Sequence, residues 1–343
     1  KLTDTDMMRK YHNLGTASNL EALNELKALP WRNLQATSDP GITGITGDAQ
    51  KCIDFYTQVL GLRFVKLTVN FDDPRAYHLY FGNESGEPGS ALTFFAWPQV
   101  RPGLLGTGEI TSIAFAVPAL SLDFWKQHLT EKATPYAEVV RFGSPLLSLR
   151  DPDGLELELV PDTTPLAPWS KGGVPEESAI RGFHAVTMSE DGFARTRDFL
   201  TKSFGYVQDG EDGALTRFKT AGDAAGRYLY TRVVPDLPRG QMGAGTMHHV
   251  AFRAEDDADE AVMREEMLRV GMDATPVIER MYFRSVYFRE PGGVLFEIAT
   301  DSPGFTVDEP LESLGTSLKL PPQYEPHREE ILRALPPLTL HHA

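Results

Sequence analysis

Short runs in which apolar residues alternate with Thr, Ser, Gly or His recur four times along the chain. They read "GITGITG" at 41–47, "ITSIAFAV" at 110–117, "GFHAVTM" at 182–188 and "MHHVAFR" at 247–253. Such alternation, rich in Ile, Val, Thr and Phe, predicts half-buried strands. The runs start 65 to 72 residues apart, so the chain carries an internal repeat. A helical pattern follows each strand. In "DAQKCIDFYTQVLGLRF", Cys52, Ile53, Tyr56, Val59 and Leu60 recur at helical spacing; Asp48 is placed to cap the start and Gly61 to end it. "ALSLDFWKQHL", "DGFARTRDFLTKSFGY" and "DADEAVMREEMLRVG" hold the same place in the later units.

Each unit closes with further strands. "LRDPDGLELELV" ends unit two and "FREPGGVLFEIA" ends unit four, each with a Pro-containing turn between two strands. The two endings align, Gly154 on Gly293 and Glu158 on Glu297. Unit three ends on "GRYLYTRVV" at 226–234. The predicted fold is α+β, four βαβββ units paired into two curved mixed-sheet barrels. Residues 1–39 form an N-terminal extension with a surface helix over "NLEALNELKAL". Residues 40–162 form a first half (units one and two) and 163–181 a Pro- and Gly-rich linker. Residues 182–302 form a second half (units three and four), and 303–343 a tail with one short helix between prolines.

Composition narrows the class. The 343 residues suit two domains better than one core. A net charge of −15 argues against nucleic acid or an anionic membrane as partner. No apolar run approaches the ~18 residues of a membrane span. The single cysteine, Cys52, excludes an internal disulfide framework; with no charged-then-apolar leader in view, it points to the cytoplasm.

The repeat, with "GDAQKCIDFYTQVLGLRFVKLTVNFDDPRAYHLYFGNESGEPGSALTFFAWP", "GAGTMHHVAFR" and "RMYFRSVYFREPGGVLFEIAT", resembles the vicinal-oxygen-chelate superfamily (glyoxalases, bleomycin resistance proteins and extradiol dioxygenases). Within it the chain is similar to hydroquinone ring-cleaving dioxygenases. The resemblance implies Fe(II), with Mn(II) as the alternative, acting on a small aromatic diphenol and O₂, and a homo-oligomer as the common assembly. It makes His249 and Glu297 metal ligands and His248 a neighbouring proton-handling group. It places Tyr287 and Arg280 beside the substrate and matches Thr43 to a substrate-side threonine. A facial set of two His and one carboxylate leaves coordination positions open for substrate and oxygen.

The third ligand is missing. The resemblance implies Gly-Ile-His-His-x-Thr ahead of "GDAQ", where this chain reads "PGITGITGDAQ". One alignment puts Pro40 and Gly41 in the histidine places. The other deletes the His-His-x triplet, and it is preferred because it keeps the flanking residues intact. Three explanations stay open: a gap in the sequence record, a ligand from elsewhere with His12 as candidate, or a catalytically dead copy. The competing functions are a small-aromatic binding protein and a glyoxalase-like isomerase.

Two geometric demands follow. Neighbours on a strand face opposite sides, so His248 and His249 share a cavity only through a twist or bulge. Arg280 and Tyr287 are an odd number apart, so a bend must lie between them. Units two and three offer Glu158 and His184 as a mirror of the site, with Ser112 where a histidine would stand. Asp72, Asp73 and His78 read as a turn and hairpin, because their spacing lacks the regular oxygens of a calcium loop.

Overall fold

The computed structural model describes residues 41–340; the helix expected near residue 25, His12 and Pro40 lie outside them. Unit one is β1 (Gly41–Thr46), α1 (Ala49–Asp54), β2 (Arg63–Val69), β3 (Tyr77–Gly82) and β4 (Ala91–Ala96). Unit two is β5 (Glu109–Val117), α2 (Leu122–Glu131), β6 (Tyr136–Arg141), β7 (Ser144–Arg150) and β8 (Glu156–Pro161). Unit three is β9 (Phe183–Glu190), α3 (Ala194–Lys202), β10 (Val207–Asp212), β11 (Leu215–Lys219) and β12 (Tyr228–Val233). Unit four is β13 (Met247–Ala254), α4 (Asp257–Arg269), β14 (Ile278–Glu279), β15 (Arg284–Arg289) and β16 (Leu295–Thr300). A last helix, α5 (Arg328–Ala334), lies in the tail. Asp48 caps α1 by accepting from the Lys51 amide, as its sequence predicts. The helical path then widens into a π-helical turn at Phe55–Val59 before Gly61, whose positive φ of 71° releases the chain into β2.

The strands form two eight-stranded mixed sheets. One runs β14-β15-β16-β13-β1-β4-β3-β2, uniting units one and four; the other runs β10-β11-β12-β9-β5-β8-β7-β6, uniting units two and three. Alternation decides which side chains go where. On β16, Phe296 and Ile298 are fully buried in the core, so Glu297 between them points to the concave face. Behind that face Phe252 packs on Phe296 and on Phe204, each with ring centroids 4.6 Å apart. Each such ring contributes about 1.5–3 kcal/mol by leaving water.

The C-terminal segment is strapped to the first sheet. The Lys319 amide donates to the Leu67 carbonyl, and the Tyr77 hydroxyl to that of Pro336. Lys66 on β2 is fully buried, its ammonium 2.6 Å from Asp308 and 2.5 Å from Glu309. Among the described residues no helix is long and apolar enough to cross a membrane.

The two sheets meet at a pair of buried acids, Glu190 at the end of β9 and Glu290 in the turn between β15 and β16. Glu290 accepts from the amides of Gly292 and Val294 and from the Thr196 hydroxyl. Burial first, and then the charge of Glu290, push the Glu190 carboxyl up to about 9. A folded value above the ordinary one means that this group's stability contribution is full in acid and is lost as pH rises. This group therefore lowers the melting temperature as pH is raised from about 5 to about 9, and Glu190→Gln removes that contribution and raises the melting temperature at the alkaline end. Calorimetry across that range checks this; parallel profiles would contradict it.

Candidate active site

The concave face of the first sheet encloses a cavity of about 320 Å³, walled by Phe95, Trp97, Tyr80, Tyr282 and Phe305. His249 reaches it from β13, Glu297 from β16 and Tyr287 from β15. Register explains the convergence. Ala251 pairs with Glu297 and Tyr287 pairs with Glu297, so β13, β16 and β15 present one row of side chains. The His249 Nε2 lies 2.7 Å from Glu297 Oε2. Tyr287 donates its hydroxyl to Glu297 Oε1 at 2.8 Å, and Ser285 donates to the same oxygen. Burial raises the Glu297 carboxyl, but His249 and the two hydroxyl donors outweigh it and hold the group below its ordinary value. Burial and the neighbouring carboxylate push the Tyr287 phenol well up.

Both geometric demands are met. Thr43 pairs with His249 and Gly44 with Met247, so His248 is the extra residue of a bulge. The bulge turns His248 into the cavity beside His249, with their Nδ1 atoms 2.7 Å apart. Burial, with the nearby His249, Arg289 and Arg280, drives His248 well below the ordinary histidine value. Arg280 sits in a turn rather than on β15, and Met281 after it has a φ of 66°. That bend sets the guanidinium 5.5 Å from the Tyr287 ring centre and 3.2 Å from Asp72. Burial opposes its charge, yet Tyr287, Asp72 and Glu297 outweigh burial and hold Arg280 protonated.

The strand pairing bears on where the histidine implied by the resemblance would stand. Asp48 and Asp256 both cap the helix after their unit's first strand, and counting back equally from each puts Gly41 level with His249. Gly41 pairs with Ala251 just as Thr43 pairs with His249, so the two positions are related by a local two-fold axis. This favours the alignment with Pro40 and Gly41 in the histidine places. Thr43 keeps the face that the resemblance gives it, lining the cavity and bonded to Thr93 at 2.9 Å.

An imidazole nitrogen and a carboxylate oxygen this close suit two adjacent positions on a divalent ion. Among the described residues no group of three or more His, Cys, Asp or Glu stands ready to hold a metal. The donors present therefore fit two places of a facial triad, and the described residues offer no third protein ligand.

The mirror in units two and three is closed by ion pairs. Glu158 lies 2.6 Å from Arg141, while His184 binds Asp162 at 2.6 Å and the Tyr230 hydroxyl at 2.7 Å. Ser112 falls two residues before Ala114, the partner of Glu158, matching His249 before Ala251. Asp72 and Asp73 form the expected turn through Asn70, but His78 belongs to the cavity wall, which its reading as part of a hairpin did not anticipate.

Fold and site together define a vicinal-oxygen-chelate protein with an aromatic-walled cavity on the concave face of its first sheet. Residues 42–159 match the Glyoxalase/Bleomycin resistance protein/Dioxygenase superfamily. The chain is 45% identical over 300 residues to "Putative ring-cleaving dioxygenase MhqO" of Bacillus subtilis (strain 168), covering 87% of this chain and 96% of that one. It is 37% identical to the chlorohydroquinone/hydroquinone 1,2-dioxygenase of Sphingobium indicum, over 86% of this chain and 94% of the other. A crystal structure of a putative dioxygenase from Bacillus subtilis superposes with a TM-score of 0.87 at 42% identity, covering 91% of this chain and all of that one. Glyoxalase I from Zea mays shares the fold alone, at a TM-score of 0.56 and 14% identity over 77% of this chain and 92% of that one. The chain belongs to the ring-cleaving dioxygenases of this superfamily.

Proposed function

We propose that the chain cleaves the ring of a hydroquinone-class diphenol with O₂ inside the cavity of units one and four. The observation that carries this is Glu297, buried among apolar neighbours yet bonded at once by His249, Ser285 and Tyr287, and turned to an aromatic-walled cavity. In the overall reaction both oxygen atoms enter the product and one ring C–C bond beside a hydroxyl breaks. Carbon is oxidised and O₂ reduced, so no further co-substrate is needed. An Fe(II) or Mn(II) ion held by His249 and Glu297 would supply the activation of O₂. The aromatic walls clamp the ring and exclude water. Tyr287, whose hydroxyl is held by Glu297, and neutral His248 stand where a substrate hydroxyl can pass on its proton. Arg280 offers a fixed positive charge to the phenolate oxygen.

The test is oxygen uptake by anaerobically purified, Fe(II)-loaded protein given hydroquinone. One O₂ consumed per ring opened is the expected result, and Tyr287→Phe lowers kcat by about 100-fold. Gly41 favours a second reading, a small-aromatic binding protein without turnover. Tight diphenol binding with no oxygen uptake would select it.

A further inference from the structure

The unit-one side of the cavity carries its own hydrogen-bonded chain. Thr43 and Thr93 hydroxyls are 2.9 Å apart, Thr93 lies 2.9 Å from His78 Nε2, and His78 Nδ1 lies 2.8 Å from the Tyr80 hydroxyl. All four side chains line the cavity. They come from β1, β4 and β3, the unit-one counterparts of β13, β16 and β15. Pairing fixes the correspondence: Tyr80 pairs with Thr93 as Tyr287 pairs with Glu297, and Thr93 pairs with Thr43 as Glu297 pairs with Ala251. Unit one therefore sets a hydroxyl where unit four sets a carboxylate, and an imidazole, His78, where unit four has Ser285. One wall suits a cation or a proton donor. The other is neutral.

Counting protons gives the neutral wall its chemistry. Burial first, then the neighbouring His249, Arg280 and His248, keep His78 well below the ordinary histidine value, so its ring carries one N–H. Three hydroxyls and one imidazole hold four polar hydrogens, and three links join them. One O–H is left over. With His78 protonated at Nδ1, that spare donor is the Tyr80 hydroxyl; with the proton on Nε2, it is the Thr43 hydroxyl. A tautomer change moves the donor from one end of the wall to the other without moving a heavy atom. A buried donor without an acceptor costs free energy, and a ligand oxygen placed there recovers it.

We propose that Thr43, Thr93, His78 and Tyr80 form a hydroxyl-recognition wall that takes the second hydroxyl of a para-dihydroxybenzene, while the first meets the wall of His249, Glu297 and Tyr287. This rests on reading the cavity as a diphenol site. Para hydroxyls leave the ring at opposite ends and reach both walls. The adjacent hydroxyls of a catechol reach one, and phenol has a single hydroxyl. His78 acts through Tyr80 and Thr93 and is a positioning residue.

The experiment is calorimetric titration of the metal-free protein, without oxygen, with hydroquinone, catechol and phenol. Hydroquinone binds about 10-fold more tightly than phenol, the worth of one added hydrogen bond, and catechol binds like phenol. Thr93→Val and His78→Phe each bring hydroquinone to the level of phenol while leaving the phenol Kd within about 2-fold, and His78→Gln, which keeps an amide in reach of its neighbours, restores part of the preference. Melting temperatures verify folding, and the near-isosteric Thr93→Val decides the matter where His78→Phe misfolds. Equal binding of hydroquinone and phenol by the parent chain, or a preference that survives Thr93→Val, overturns the proposal. Failure of all three phenols to bind the parent overturns it together with the diphenol reading of the cavity.

Discussion

Gly41→His binds Mn(II) at least ~100-fold more tightly than the parent chain, because loss of even an outer-shell partner costs 10- to 100-fold in metal affinity and this change adds a direct donor. The geometric ground is the two-fold relation of Gly41 and His249 across β1 and β13, which aims an imidazole at 41 into the space next to Glu297. The substitution has a structural cost. A Cβ at Gly41 falls 2.9 Å from the Ala91 carbonyl oxygen, so β1 must ease away from β4, and the variant melts below the parent in the absence of metal. With Mn(II) the order reverses, since an ion that binds only the folded state stabilises it by mass action. Titration followed by electron paramagnetic resonance reads the affinity. An unchanged Kd in a folded variant would mean that position 41 does not face the ion.

Lys66→Ala is expected to lose about 3–5 kcal/mol, the cost of leaving a buried ion cluster without one partner. The ammonium is fully buried and answers two carboxylates, Asp308 and Glu309. Asp308 also accepts from the Tyr282 hydroxyl at 3.0 Å, and Phe305 nearby walls the cavity. Losing the cation therefore frees the C-terminal segment and loosens one side of the site. Urea unfolding measures the stability, and limited proteolysis with cleavage between residues 303 and 320 reports the release. Adding Asp308→Asn and Glu309→Gln to Lys66→Met recovers most of the loss, because the unpaired charges are then gone. A loss below about 1 kcal/mol for Lys66→Ala would show that the cluster contributes no more than an exposed ion pair.

The repeat, its strands and its caps were legible in the sequence because each rests on a local pattern. Asp48 and Gly61 mark their helix by chemistry that acts over a few residues. Glu297 was legible because a carboxylate between Phe296 and Ile298 on a buried strand demands a partner. His78, Tyr80 and Thr93 were not, since their facing depends on the pairing of β3 with β4 and of β4 with β1. Those contacts join residues 13 to 50 apart, and no periodicity reports them. The His248 bulge could be required but not located, because it consists of a slip against a strand some 200 residues away. Lys66 in "RFVKLTV" looks like an exposed polar position; its burial depends on the returning tail.

The nesting of the sheets, with units two and three inside and units one and four outside, sets an order of events during synthesis. The inner sheet has all its strands once the ribosome has passed Val233, whereas β1 waits for β13, its partner on the side away from β4. A nascent chain thus holds a finished β5–β12 body while the first strands still expose an unpaired edge to other chains. Nonsense or frameshift lesions between Ala96 and Met247 leave that edge of β1 permanently open, so they yield aggregating products rather than short, inactive, well-folded ones.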